Sequence, residues 1–259
     1  MLQSGSMKLS ELGEFGLIDL ICNIINKSKN LEVPSWRQVL LGIGDDAAAW
    51  LNDNQTQLAT IDSLVQDVHF DLNIVTWEEL GWKALAVNLS DIAAMGGVPQ
   101  YALISLALPP DIEVENIDKF YTSTTQLAEE FGVAVVGGDI VASPNVVITI
   151  AVLGYSKGRA ILKRSTACPG EQIAVTGYLG LSAGGLEMLK SGVSLDSEAT
   201  SILKHGHLQP MPRIREGQIL AGLGVRTAID ISDGLIADLN HICEASKVGA
   251  RIKINIIIY

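Results

Sequence analysis

Cysteine is scarce in this chain, and its spacing suits no staple: Cys22, Cys168 and Cys243 form no CxxC pair. That argues against a disulfide framework and against a zinc site built on paired thiolates. It fits the expectation of a cytoplasmic protein. No run of about 18 uncharged apolar residues occurs, so no membrane-spanning segment is expected. The first six residues, MLQSGS, lack the basic and apolar regions of a secretion signal and precede a second methionine, Met7. Residues 1–10 are therefore expected to form a poorly ordered leader. Positive charge is short as well: 18 Lys and Arg stand against 29 Asp and Glu, a formal charge of −11. Such a balance disfavours nucleic acid as a partner, and it admits a polyanionic ligand only if metal cations come with it. The four histidines, His69, His205, His207 and His241, show no metal-ligand spacing. GxxxxGK[ST] is missing, which excludes a Walker-type phosphate loop.

What the 259 residues do contain is ample apolar material, 48% of the chain, for one large domain or two ordinary ones. Apolar spacing predicts helices over 11–29, 78–97, 113–131, 182–190, 213–223 and 234–246. Between them, strands are expected at 57–62, 101–109, 133–139 (fully buried), 146–155, 172–176, 226–230 and 250–258. The alternation is that of an α/β or α+β protein. The polar, glycine-containing stretch 156–170 is the expected boundary, dividing an N-terminal domain (11–157) from a C-terminal one (158–259).

Aspartate is where the sequence becomes specific. Three predicted strands end in one: Asp62 in ATID, Asp139 in VVGGD and Asp230 in TAID. Asp45 and Asp46 follow the apolar step VLLGIG. Ligands of α/β folds gather beyond the carboxyl ends of strands. One such aspartate reads as a turn residue; four places point to a shared site. Asp91 falls near the negative pole of the 78–97 helix, which costs about 0.3–1 kcal/mol unless a cation offsets it. Asn88 shares its face. Ser232 or Asp233 before Gly234 is an ordinary N-cap signature, so capping accounts for Asp233 as well as metal binding does. The helix that follows is expected to bury Leu235, Leu239, Ile242 and Cys243, leaving Asp238 off the core stripe. Several hard oxygens without Cys or His clusters suit Mg²⁺ with phosphate co-ligands. Among the basic residues near these motifs, Lys83, Lys163 and Arg164, the planar fork of Arg164 best matches phosphate. The strand–glycine loop–helix TGYLGLSAGGLEML (176–189) offers a second place for phosphate at a helix N-terminus, or a tight packed turn.

Taken together and in order, GEFGLI (13–18), GIGDDAA (42–48), TIDSLVQDVHF (60–70), GWKALAVNLSDIAAMGG (81–97), VVGGD (135–139), RSTACPGE (164–171), TGYLGLSAGGLEML, HLQPMPR (207–213) and AIDISDGLIADLNHI (228–242) resemble the thiamine-monophosphate kinases. Single motifs are shared with the wider aminoimidazole ribonucleotide synthetase superfamily. The resemblance runs from about residue 11 to 251. It implies a two-domain α/β fold, a homodimer through the N-terminal domains, and ATP-dependent phosphorylation of thiamine phosphate with Mg²⁺, more than one ion being expected. It implies metal-site roles for Asp46, Asp62, Asp91, Asp139, Asp230 and Asp233. Asp45, Gly138, Arg164 and Ser232 match nucleotide-phosphate positions, and His69 a position near thiamine phosphate. Ile140 stands where the family often has Thr, and Gln209 where Arg is frequent. The family continues beyond IKINIIIY, so the second domain is expected to be incomplete. Two alternatives remain: another ATP-dependent enzyme of the superfamily, or an inactive nucleotide-binding dimerisation module.

Overall fold

Period-two stretches of β-branched and aliphatic residues in the first 156 residues assemble into one mixed sheet. The computed structural model describes residues 37–41, 44–52, 55–157 and 161–252; the expected leader, the 11–29 helix and most of the 250–258 strand lie outside them. The strands are β1 (Val39–Leu41), β2 (Ala48–Asn52), β3 (Gln55–Val65), β4 (Val98–Leu108), β5 (Ala134–Ala142) and β6 (Val147–Ser156). Their spatial order is β1-β2-β3-β6-β4-β5. All neighbours are antiparallel except β4 and β5, which run parallel around the crossover helix α2 (Val114–Glu130).

Among the described residues, one face of this sheet is covered and the other is left open. Leu58, Leu64, Ala102, Ile104, Leu106, Ile148, Ile150 and Val152 are buried in one core with Leu85, Leu89 and Ile92 of α1 (Trp77–Ala94) and Phe120 and Leu127 of α2. On the opposite face the register aligns Ile61, Ala151 and Leu103 in a row across β3, β6 and β4. Ile61 and Leu103 there are 65% and 41% exposed.

Helix α1 is set at both ends by local chemistry. Thr76 caps it, accepting the Glu79 N–H at 3.2 Å while its own N–H donates to Glu79 Oε2 at 2.9 Å, a complete capping box. The other Glu79 oxygen meets Lys204 at 2.8 Å, tying α1 to α4 (Ser197–Leu208). At the far end Gly96 turns the chain with φ +68°, and a Cβ there would lie 2.8 Å from Ala221. The glycines are a stop signal and a contact surface together.

After Ser156 the described chain is helical or irregular: a 3₁₀ turn (Arg164–Thr166), α3 (Leu181–Ser191), α4, α5 (Ile214–Gly222) and α6 (Leu235–Ser246). The strands expected at 172–176 and 226–230 are not formed. A strand needs a neighbour to receive its N–H and C=O groups, and among the described residues these segments have none; Ile173, Val175 and Val225 are exposed. Strand β5 also departs from expectation: it runs through both glycines to Ala142 and is mostly exposed rather than fully buried, because it is the sheet's edge. Helix α5 lies on α1 so closely that a Cβ on Gly217 would come within 2.1 Å of the Ala93 carbonyl oxygen.

Candidate functional site

Three carboxylates far apart in sequence converge where the two parts of the chain meet. Asp46, Asp91 and Asp230 each place an oxygen within 4.8 Å of the others. Asp46 follows Gly44, whose φ of +119° only glycine adopts cheaply, and its side chain is fully buried. The neighbouring Asp45 is spent on backbone: it accepts the N–H of Asp46 at 3.1 Å and that of Arg164 at 3.3 Å. Asp91, on the last turns of α1, accepts a hydrogen bond from Thr60 at 2.5 Å. Its helix neighbour Ser90 donates to Asp230 at 2.9 Å. Asn88, one turn earlier, is wholly buried, with its amide donating to the Ala84 carbonyl.

The cluster holds more negative charge than its surroundings neutralise. Burial pushes the Asp91 carboxyl up to about 8, with repulsion from Asp230, Asp62 and Asp46 adding to it. Burial, then Asp46, pushes Asp230 up to about 7, and burial followed by Asp46 brings Asp45 to about 6. Carboxylates that keep protons near neutrality are a site lacking cationic charge. A cation among the described residues meets the cluster: Arg164 grips Asp46 with both arms, Nε to Oδ2 at 3.2 Å and Nη2 to Oδ1 at 2.6 Å. Such a fork-to-carboxylate pair is among the stronger protein hydrogen bonds. Oxygen donors of three carboxylates so close together fit a hard divalent ion such as Mg²⁺.

The remaining sequence-predicted residues fall into three places. Asp62 sits in the middle of β3, not at its end, two residues from Thr60 and on the same face. It borders Asp91; burial raises its pKa and His69 opposes the rise. His69 is exposed, and its Nδ1 accepts the Val65 N–H at 3.1 Å. Gly138 and Asp139 lie within β5 and line a cavity of about 340 Å³ with Ile104, Tyr121, Gly137 and Ile140. Gly138 is required there, since a Cβ would sit 1.8 Å from the Ile104 carbonyl oxygen. Asp139 and Asp233 are outside the converging three, and both Ser232 and Asp233 are exposed.

The N-cap expected of Ser232 or Asp233 is not formed. Gly234 is the cap residue of α6, with no side-chain cap bond. Instead Asp238, the buried residue of that helix, reaches back: its Oδ2 accepts the N–H groups of Ser232 and Gly234, each at 3.0 Å. Leu235, Leu239, Ile242 and Cys243 are only half-buried. Sequence reasoning missed Asp238, and missed Thr60 and Ser90 as partners of the cluster. The signal for Thr60 was its period-two relation to Asp62; for Ser90, its adjacency to Asp91.

A second overlooked motif is Gly180–Gly184, GLSAG, which spells the G-x-S-x-G of nucleophilic hydrolases. Ser182 does meet His207 Nδ1 at 3.0 Å. Yet burial, with Lys83 and Lys190, depresses His207 to about 4, leaving a weak base. Ser182 also lies inside the first turn of α3 rather than on a strand-to-helix elbow.

Comparison with known proteins finds relatives of both parts of the chain. The family model described as AIR synthase related protein, N-terminal domain, matches residues 44–156, and its C-terminal counterpart matches 168–257. The thiamine-monophosphate kinase of Bacillus subtilis (strain 168) is 41% identical over 218 residues, covering 82% of this chain and 66% of that protein. That of Escherichia coli (strain K12) is 39% identical over 244 residues, covering 93% and 72%. A solved structure of AaThiL complexed with AMPPCP and TMP is 37% identical, with a TM-score of 0.82, covering 94% of this chain and 74% of that one. The chain thus spans about two thirds to three quarters of the length of these relatives.

Proposed function

Since the chain belongs to the thiamine-monophosphate kinase family, we propose that it transfers the γ-phosphoryl group of ATP to thiamine phosphate, giving thiamine diphosphate. The observation that carries this reading is the convergence of Asp46, Asp91 and Asp230 beside Arg164. The relatives' shared name and the neighbour complexed with AMPPCP and TMP support it. Asp46, Asp91 and Asp230 would hold Mg²⁺, with Asp62 the next carboxylate for a further ion; Asp139 and Asp233 are assigned to the metal–nucleotide side on family resemblance. Mg²⁺ when bound neutralises phosphate charge and orients the reacting groups.

The residues' own work is positioning. The acceptor is a phosphate oxygen, already largely ionised near neutral pH, so no strong general base is needed. What must be overcome is the approach of two polyanions in line, and oriented charge does most of that. Arg164, once its fork leaves Asp46, matches a phosphate in the same two-pronged way. Ser232 offers its hydroxyl, Asp45 keeps the GIGDD turn in place, and His69 is assigned to the thiamine phosphate on family resemblance.

The decisive experiment incubates the protein with ATP, thiamine phosphate and Mg²⁺ and follows thiamine diphosphate by chromatography. Product that depends on Mg²⁺ is expected. Full turnover with all metal chelated, or no product under saturating substrates, overturns the reading. Competition binding in which a purine-pathway intermediate is bound in preference to thiamine phosphate would favour a different enzyme of the superfamily. Asp91→Asn and Asp62→Asn should weaken Mg²⁺-dependent nucleotide binding while melting like the parent.

The sheet face that the other described residues leave open, with Ile61, Tyr101 and Leu103, supports pairing of two copies through their N-terminal domains (11–157), the C-terminal portion (158–259) lying outside the contact. Light scattering should give twice the monomer mass, and the doubly charged variant I61E/L103E should give the monomer. No helix among the described residues is long and apolar enough to cross a membrane; the cytoplasm is the proposed compartment.

A further inference from the structure

A helix that begins at Leu235 leaves its first N–H groups without intrahelical partners, and the residues just before it ordinarily supply the acceptor. Here the sequence provides Ser232 and Asp233 for that task, and neither performs it. The acceptor comes from inside the helix: Asp238 is 3% exposed, and a single one of its oxygens takes both the Ser232 and the Gly234 N–H. Two amides two residues apart, converging on one oxygen, form an anion-holding nest that the chain fills with its own carboxylate.

This arrangement has two effects on the neighbouring residues. It fixes the bend between Asp230 and α6, so that Asp230 can meet Asp46 and Asp91 while accepting from Ser90. It also leaves the Ser232 hydroxyl and the Asp233 carboxylate exposed, with no capping bond to occupy them. A capping Ser232 or Asp233 would turn its side chain onto the backbone and away from any ligand.

We propose that Asp238 is a positioning residue of the phosphoryl-transfer site: it relieves Ser232 and Asp233 of capping and holds the 231–234 turn so that Asp230 is aimed into the carboxylate cluster. Asp238 does not itself touch the reactants. The inference rests on the metal-site reading of Asp230 given above. Residues that support metal ligands from behind typically contribute about 10–100-fold in metal affinity, and an effect near the lower end is expected because Asp238 acts through the turn.

The test compares the full chain with D238A and D238N, titrating Mn²⁺ alone by calorimetry and following amide hydrogen exchange at Ser232 and Gly234. In the parent both amides exchange slowly. D238A should expose both amides and weaken Mn²⁺ binding about tenfold. D238N presents a carbonyl oxygen in place of the accepting carboxylate oxygen, and should keep both the protection and most of the affinity. D238S, too short to reach both amides, replaces D238A should that variant not fold. A purely structural Asp238 would lower the melting temperature of D238A and leave its Mn²⁺ affinity at the parent value; that outcome overturns the proposal, as does D238N binding as weakly as D238A. If the parent binds no Mn²⁺, the metal-site reading of Asp230 falls and the proposal with it, while the product assay above decides the proposed function separately. The exchange measurement then still decides whether Asp238 holds the turn.

Discussion

Residues up to Ser156 and residues from Ile161 onward are built on different terms. Among the described residues, the first part has a sheet, two long helices against one face, and nearly all of the fully buried side chains, Leu58 and Val152 among them. The second contributes helices with few buried apolar residues, Met188, Leu208 and Ile214 among them. Yet the second part supplies polar groups of the proposed site: Arg164, Asp230 and the turn held by Asp238. Buried apolar side chains are concentrated on one side of the joint, while the proposed site draws on both.

The joint itself should be as sensitive as the core. Replacing Arg164 by Ala leaves the fully buried Asp46 without its partner, a loss of about 3 kcal/mol by the usual cost of halving a buried pair. Thermal melts of metal-free protein should show it, and added Mg²⁺ should recover much of the loss. Within the first part, Leu89→Ala removes a wholly buried side chain and should cost about 2–5 kcal/mol. In the second part, Leu223→Ala, at a position 77% exposed, should stay within about 0.5 kcal/mol; equal losses in urea titrations would erase the distinction drawn here. Gly217→Ala forces α5 off α1 and should cost about 1–3 kcal/mol. Gly222→Ala, in the same helix with open space at its Cβ, should be neutral or slightly stabilising.

The smallest expected effect concerns pH. His207 is depressed from 6.5 to about 4 in the fold, so between those values the unfolded chain binds the extra proton. Stability should therefore fall as pH drops through that window and level off below it. Half-exposure of the ring keeps the slope shallow. His207→Gln should flatten it; an unchanged slope would mean that other groups carry the pH response.

The sequence revealed the helices that cap or pack strongly, because those signals are local. Apolar spacing over 78–97 announces α1, and Gly96–Gly97 its end; the Thr76–Glu79 capping box that starts it came only with the structure. It misjudged β3 and β5, placing strand ends at Asp62 and Asp139. Aspartate is a poor strand residue on average, but pairing with β6 and β4 carries the ladder through both. It read strands at 172–176 and 226–230 because alternation is local, whereas a partner strand is not. Asp46, Asp91 and Asp230 were legible as candidates from their positions; that these three converge, and that Asp62 borders them, depended on the fold. Asp238 was hidden because a buried carboxylate on a helix looks, in sequence, like a solvated one.

The Gly217 contact with Ala93 carries a warning for anyone mapping this protein by mutation. Ala93 lies two residues beyond Asp91 on the same helix, so a methyl group added at position 217 shifts the backbone that carries the carboxylate. A scan for inactivating substitutions would rank Gly217 beside the aspartates, although it offers a ligand nothing but hydrogen.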